Sequence, residues 1–219
     1  MKATIQIKIA NLKATNVFAS KEETRYYLNG VLFEMKGSEL NFVATDGHRL
    51  IKFSQKEGKD FDFAEGTREE TLKFIIPAQL IEKVKIGKTL CWAHLTVEGT
   101  ETLDRPPELT LVYDGASYSM RAIDGTFHDY ERVIPDKETH TQRVEKERDD
   151  MTKSELVNQP STFSCGFNPA LLGDFAKVNK IIGRGGAGVK IEMLDDKAPA
   201  FVTLGDGSPY LAVLMPMRT

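Results

Sequence analysis

Four consecutive residues, Asp46, Gly47, His48 and Arg49, put an acid, a base and a guanidinium side by side in "VATDGHRLIKF". Residues of these types can do general acid–base chemistry, with Asp46 orienting His48. Three observations weigh against that reading. The chain has four histidines, no serine or cysteine stands in a nucleophile-elbow context, and Asp-Gly is itself a turn signal. "IIGRGGAGVK" (181–190) has the glycines of a phosphate loop, but it follows a helical pattern instead of linking a strand to one. It reads as a helix C-cap and turn. The four histidines and two cysteines have no metal-ligand spacing, so no metal or other cofactor is expected.

The elements that must hold these residues repeat. Asp-Gly pairs sit between apolar runs at Asp46-Gly47, Asp114-Gly115 and Asp206-Gly207, and such pairs predict hairpins in which both turn residues take positive φ. A helix is predicted ahead of each hairpin: Asn11–Ser20, a second from Pro77, and a third from Pro169 with Asn168 as N-cap. The first two hairpins are 68 residues apart and the last two 92, and the helix starts shift in step. The excess falls on 136–160, dense in both charges and almost free of large apolar residues. Such a segment cannot bury a core and reads as a linker, with a solvated helix near 143–157. The domains expected are therefore 1–135, made of two repeats (about 1–66 and 67–135), a linker at 136–161, and a half domain at 162–219. An odd unit count leaves unit three needing another chain. Each unit reads strand, helix, then strands, an α+β class with antiparallel sheets. Cys91 and Trp92 read as core residues of a strand.

The chain has 219 residues, 41% hydrophobic and 28% charged, with net charge −3. The bulk charge argues against nucleic acid, but a basic face can sit on an acidic body. Lys177, Lys180 and Arg184 recur at spacings of three and four along the third helix, which turns Leu171, Leu172, Phe175, Val178 and Ile182 the other way. The second helix and its exit offer Lys83, Lys85 and Lys88, and the first offers Lys13. With the helices side by side, these cations would neutralise phosphates without reading bases. The N-terminus alternates apolar and polar residues, no run is long enough to span a bilayer, and the cysteines form no disulfide framework. A cytoplasmic protein without a secretory leader is expected.

Three stretches carry a resemblance. "RYYLNGVLFEMKGSELNFVATDGHRLIKFS" (25–54) and "AIDGTFHDYERVIP" (122–135) resemble the middle domain of the bacterial DNA polymerase III β sliding clamp, and "PYLAVLMPMRT" (209–219) resembles that family's C-terminus. The resemblance implies the DNA-clamp fold: β-α-β-β-β repeats, helices facing DNA and sheets outside. It implies a processivity factor with no catalytic activity, acting at replication sites on the nucleoid. It also implies binding to duplex DNA and a cleft that captures peptide motifs of polymerases and repair proteins. The cleft residues matched are Leu28, Thr45, Gly47, His48, Arg49, Leu50, Pro135, Val213, Leu214, Met215, Pro216, Met217 and Arg218, with Arg49, Arg218 and His48 as a polar rim. Tyr26 and Tyr27 match a DNA-contacting pair. A clamp loader and a homo-oligomer are further implied partners. Against the full clamp's three domains, the matches cover the middle one and the second half of the last, and Thr219 stands where the family ends in leucine. A second reading keeps the cleft without the ring, as an adaptor or decoy for clamp-binding motifs.

Overall fold

The computed structural model describes residues 2–66, 71–87, 92–99, 105–134, 165–193, 198–205 and 207–217. The expected linker, its helix, Lys88, Cys91, Pro135, Asp206 and Arg218 lie outside them. Unit one is β1 (Lys2–Lys8), α1 (Ile9–Asn16), β2 (Gly30–Lys36), β3 (Glu39–Thr45) and β4 (Arg49–Lys56), followed by an additional strand β5 (Phe61–Gly66). Unit two is β6 (Thr71–Pro77), α2 (Ala78–Lys83), β7 (Trp92–Glu98), β8 (Glu108–Tyr113) and β9 (Ala116–Arg121). Unit three contributes α3 (Pro169–Ile181), β10 (Lys190–Glu192), β11 (Ala200–Thr203) and β12 (Leu211–Leu214).

Two antiparallel sheets result, ordered β5-β1-β7-β8-β9 and β10-β11-β12-β4-β3-β2-β6. Units one and two exchange first strands: β1 pairs with β7, and β6 pairs with β2. Strand alternation builds the core. Ala3, Ile5 and Ile7 of β1 are buried, as are Ala93, Leu95 and Val97 of β7. The same alternation turns Trp92 outward, 39% exposed, with the Lys8 ammonium 5.5 Å from its ring centroid, which corrects the core expectation for Trp92.

Unit three joins its own chain. β12 lies antiparallel on β4, from Leu211 opposite Lys52 to Leu214 opposite Arg49. Its helix α3 packs beside α1, with Phe175 edge-on to Phe18 at 5.3 Å between centroids. The unit thus buries its apolar stripe in cis, and the sheet it needs is unit one's.

The cap predictions for α3 hold. The Asn168 side chain accepts the Ala170 N–H at 3.0 Å. At the other end Gly183 (φ +76) sends its N–H to the Lys180 carbonyl, and Arg184 sends its own to that of Asn179. This is a Schellman cap, and it places Arg184 beyond the helix. α1 begins earlier than expected, directly from β1, and ends at Asn16; three single turns carry the chain on to Ala19. Pro77 is the N-cap of α2, one position before the first helical residue.

The three Asp-Gly pairs differ. Asp114 (φ 50) and Gly115 (φ 75) form the two-residue turn expected, closed by Tyr113 opposite Ala116. The first hairpin closes at Thr45 opposite Leu50, so it has a four-residue loop in which Gly47 alone takes positive φ. The third connection, from β11 to β12, is a longer loop with Gly205 and Gly207 at positive φ.

Candidate partner cleft and nucleic-acid face

The first hairpin is built by Asp46. Its Oδ1 accepts the N–H groups of His48 (2.9 Å) and Arg49 (3.1 Å), and its Oδ2 accepts Arg49 Nε at 3.0 Å. Asp46 therefore acts as an acceptor that folds the loop, in place of a positive-φ turn residue. Thr45 Oγ1 donates to the Arg49 carbonyl (2.7 Å) and accepts the Gly47 N–H (3.1 Å). Gly47 takes φ +89, which favours glycine, and a Cβ there would lie 2.5 Å from Arg25 Nη1, the end of a flexible side chain that would have to shift. His48 Nδ1 stands 3.9 Å from Asp46 Oδ1, beyond hydrogen-bond range, so the pair is not an oriented acid–base couple. The ring is exposed, and the His48 carbonyl accepts the Met215 N–H at 2.9 Å. The chain's last described segment thus continues along the hairpin, and Met217 N–H reaches the Gly166 carbonyl at 2.8 Å.

Alternation along β4 sends neighbours to opposite sides of the sheet. Leu50 points outward, where it meets Leu28, Leu32, Val43, Ile75 and Val213 in an apolar cluster of its own. Phe127 and Tyr130 cover this cluster, with Tyr27, Ile123 and Ile134 at its half-buried margin. The cover is pinned by a buried hydrogen bond from Tyr130 Oη to Glu34 Oε2 at 2.6 Å. Burial alone would raise the Glu34 pKa, but the bonds from Tyr130 and from Lys73 (3.1 Å) outweigh it and hold the carboxyl below its usual range. Burial, then the hydrogen bond to Glu34, pushes the Tyr130 phenol up. Three expected cleft residues, Leu28, Leu50 and Val213, therefore come together. Met215 (38%) and Met217 (54%), which follow on the chain, are exposed.

Arg49 and Leu214 point the other way, and this corrects their expected place. Leu214 belongs to the main core. Arg49 is 7% exposed and cannot serve as a cleft rim. Its guanidinium lies 4.3 Å over the Phe18 ring centroid and pairs with Asp174 Oδ2 at 2.7 Å. It also donates to the carbonyls of Leu171 and Val17, both at 3.3 Å. A buried guanidinium needs such compensation, and here it ties the hairpin to α1 and α3 at once.

On this inner side the three helices stand in a row with α1 in the middle, packed against both α2 and α3. Lys83, Lys85, Lys177, Lys180 and Arg184 are exposed. Lys177 is held by Asp174 Oδ1 at 2.6 Å. Burial would raise the Asp174 pKa, yet Lys177 and Arg49 keep it below the usual carboxylate range. Lys13 differs from the rest: it is half-buried and donates to the Val84 carbonyl, tying α1 to the end of α2, and burial lowers its pKa. A groove of about 530 Å3 between α1, α3 and the hairpin carries both signs, with Lys21 and Lys177 against Glu22, Glu82 and Asp174. Tyr26 is 53% exposed, and Tyr27 meets His128 edge-on, with Oη 3.2 Å from Nε2.

Sequence reasoning missed Phe18, Asp174, Phe127, Tyr130 and Glu34. The stretch holding Phe127 and Tyr130 stood out, but its role as a cover has no periodic signal.

Residues 6–129 match the family model for the DNA polymerase III beta subunit, central domain. The chain is similar to the beta sliding clamps of Vibrio cholerae (29% identical over 141 residues) and Escherichia coli K12 (30% over 137). These matches cover 59% and 57% of this chain but only 32% and 30% of the relatives, so the likeness spans about a third of their length. Among solved structures, the DNA polymerase sliding clamp of Pseudomonas aeruginosa superposes on 99% of this chain and 66% of its own, with TM-score 0.63 and 20% identity. The clamp of Bacillus subtilis covers 99% of this chain and 64% of its own, with TM-score 0.66 and 18% identity. A clamp of Bartonella birtlesii bound to griselimycin has TM-score 0.61 and 22% identity over 99% of this chain and 66% of its own. The fold is that of a sliding clamp, and the chain belongs to the DNA polymerase III beta subunit family through that family's central domain.

Proposed function

We propose that this chain is a clamp-type tether in DNA replication. It holds duplex DNA along the helix row without reading sequence, and it captures a peptide segment of a polymerase or repair protein on the outer side of the seven-stranded sheet. The reading rests on one observation above all: that sheet has two differently built sides. The inner side carries a row of helices with exposed Lys83, Lys85, Lys177, Lys180 and Arg184, suited to phosphates spaced along a duplex. The outer side carries the buried cluster of Leu28, Leu50 and Val213, and beside it His48, Met215 and Met217 are the groups exposed to a ligand. Methionines adapt to varied apolar ligands, and an extended segment offers backbone groups to a peptide.

The tether works by contact alone, without catalysis, on DNA in the cytoplasm. A homo-oligomer would extend the helix row around the duplex, and a clamp loader is a partner if the row closes.

The test is a titration with a fluorescent peptide carrying a clamp-binding motif. The intact chain should bind it, griselimycin should compete, and removal of residues 215–219 should abolish binding. Unchanged affinity after that truncation overturns the cleft. For the inner face, Lys177→Glu with Lys180→Glu should lower the salt slope of duplex binding by about two; an unchanged slope overturns the helix row.

A further inference from the structure

The outer side of the seven-stranded sheet is apolar at the candidate cleft, and a cation stands among those apolar groups. Alternation along β4 sends Lys52 to the same side as Leu50, one side-chain step farther from His48. Its cross-strand neighbours are Val43 on β3 and Leu211 on β12. Val43 is fully buried in the apolar cluster, and Leu211 is half-buried at its margin. Lys52 is half-buried as well, and its ammonium lies 5.2 Å from the ring centroid of Tyr130, which covers the cluster.

Among the described residues this ammonium has no carboxylate partner. The acid under the same ring is already occupied: Glu34 Oε2 accepts from Tyr130, and Glu34 Oε1 is shared by Lys73 at 3.1 Å and Lys36 at 3.6 Å. Asp129, on the cover, pairs with Arg132 at 2.9 Å. Lys36 and Lys73 face the same side of the sheet and have Glu34; Lys52 is left with a ring face. A half-buried ammonium has given up part of its water, and a tyrosine ring restores only part of that loss. A carboxylate arriving beside it would make a charge-assisted bond where apolar neighbours weaken solvent screening.

We propose that Lys52 selects what the cleft takes: an extended peptide that lays an apolar side chain on the half-buried margin and sets a carboxylate, two positions along, against Lys52. Side chains two positions apart on an extended chain share a side and lie about 7 Å apart, the same step that separates Leu50 from Lys52. The partner segment is therefore acidic as well as apolar, and a basic residue at the same position is rejected by like charge. The proposal rests on the cleft reading and deepens it by naming the charge the partner must carry. A lysine that only covers apolar surface with its stem would show no such selection.

The test uses fluorescent peptides carrying a clamp-binding motif, with Asp, Asn or Lys placed in turn at each position beside the apolar residues. They are titrated against the intact chain at low salt. At one position the Asp peptide should bind about tenfold tighter than the Asn peptide, and the Lys peptide more weakly than either. Added salt should narrow the gap. Lys52→Met keeps the stem and removes the charge, so it should bind the Asp and Asn peptides equally. Lys52→Arg should keep the preference, and Lys52→Glu should favour the Lys peptide over the Asp one. Binding without an acid preference at any position, or a preference that survives Lys52→Met, overturns the role of Lys52 and leaves the cleft standing. Failure of every peptide to bind the wild-type chain overturns the cleft and the role of Lys52 together.

Discussion

Arg49 and Leu50 are neighbours on β4 and belong to different halves of the molecule. Arg49 faces inward and is saturated: an aromatic face, two carboxylates and two carbonyls surround its guanidinium. Leu50 faces outward into an apolar cluster whose margin, Tyr27, Ile123 and Ile134, is only half-buried. One dipeptide thus fastens the helix row and floors the candidate cleft. The inner side is held by directional charge pairs, which specify how α1 and α3 sit. The outer side is held mainly by apolar contact, with the single buried hydrogen bond from Tyr130 to Glu34 at its cover.

The sharpest way to break the comparison is Arg49→Ala. It leaves Asp46 and Asp174 without their shared cation and should cost about 3–5 kcal/mol in urea denaturation, while Arg49→Lys recovers only part. Leu50→Ala should cost about 2–4 kcal/mol and weaken peptide binding, while duplex binding stays at its wild-type value. A loss of duplex affinity from Leu50→Ala would mean that the two sides are not separate.

Smaller effects sharpen the account. Gly47→Ala meets both a positive φ and the Arg25 guanidinium, so about 1–2 kcal/mol is expected. Gly115→Ala shares the positive φ but has open space around it, and should cost about 1 kcal/mol or less. Denaturation of the two variants in parallel checks the difference. The smallest effect is one of pH. The folded-state pKa of Asp174 is lowered, so its ion pairs contribute fully above the ordinary aspartate value of about 3.9 and fade as pH falls through the lowered one. Asp174→Asn should therefore destabilise at neutral pH, and the gap from wild type should close on acidification.

What the sequence revealed follows from where the determining contacts lie. The α3 caps were legible because Asn168, Pro169 and Gly183 act within one turn of themselves. The grouping of Leu28, Leu50 and Val213 was legible through the family resemblance alone, since no local period joins three separate strands and turns. Arg49 was misplaced because its burial depends on Asp174 and Phe18, remote in sequence, and a charged residue beside an exposed histidine reads as surface. Asp46 was misplaced for a different reason. The Asp-Gly turn rule holds at Asp114, but at Asp46 a carboxylate accepting three N–H groups supports a wider loop. Unit three looked orphaned because pairing between β12 and β4 leaves no mark in either strand. β12 (LAVL) is a short apolar run that suits a core strand in any position, and β4 (RLIKFSQK) has the mixed pattern of many strands, so neither names the other as its neighbour.

Separate sides make simultaneous occupancy the central expectation. Immobilise a clamp-binding peptide, capture the protein on it, then flow duplex DNA over the surface at low salt. The account predicts that the duplex binds the captured protein with the affinity it has for free protein, and that Lys177→Glu with Lys180→Glu weakens only this second step. Duplex that displaces the protein from the peptide, or fails to bind it while captured, would contradict the account.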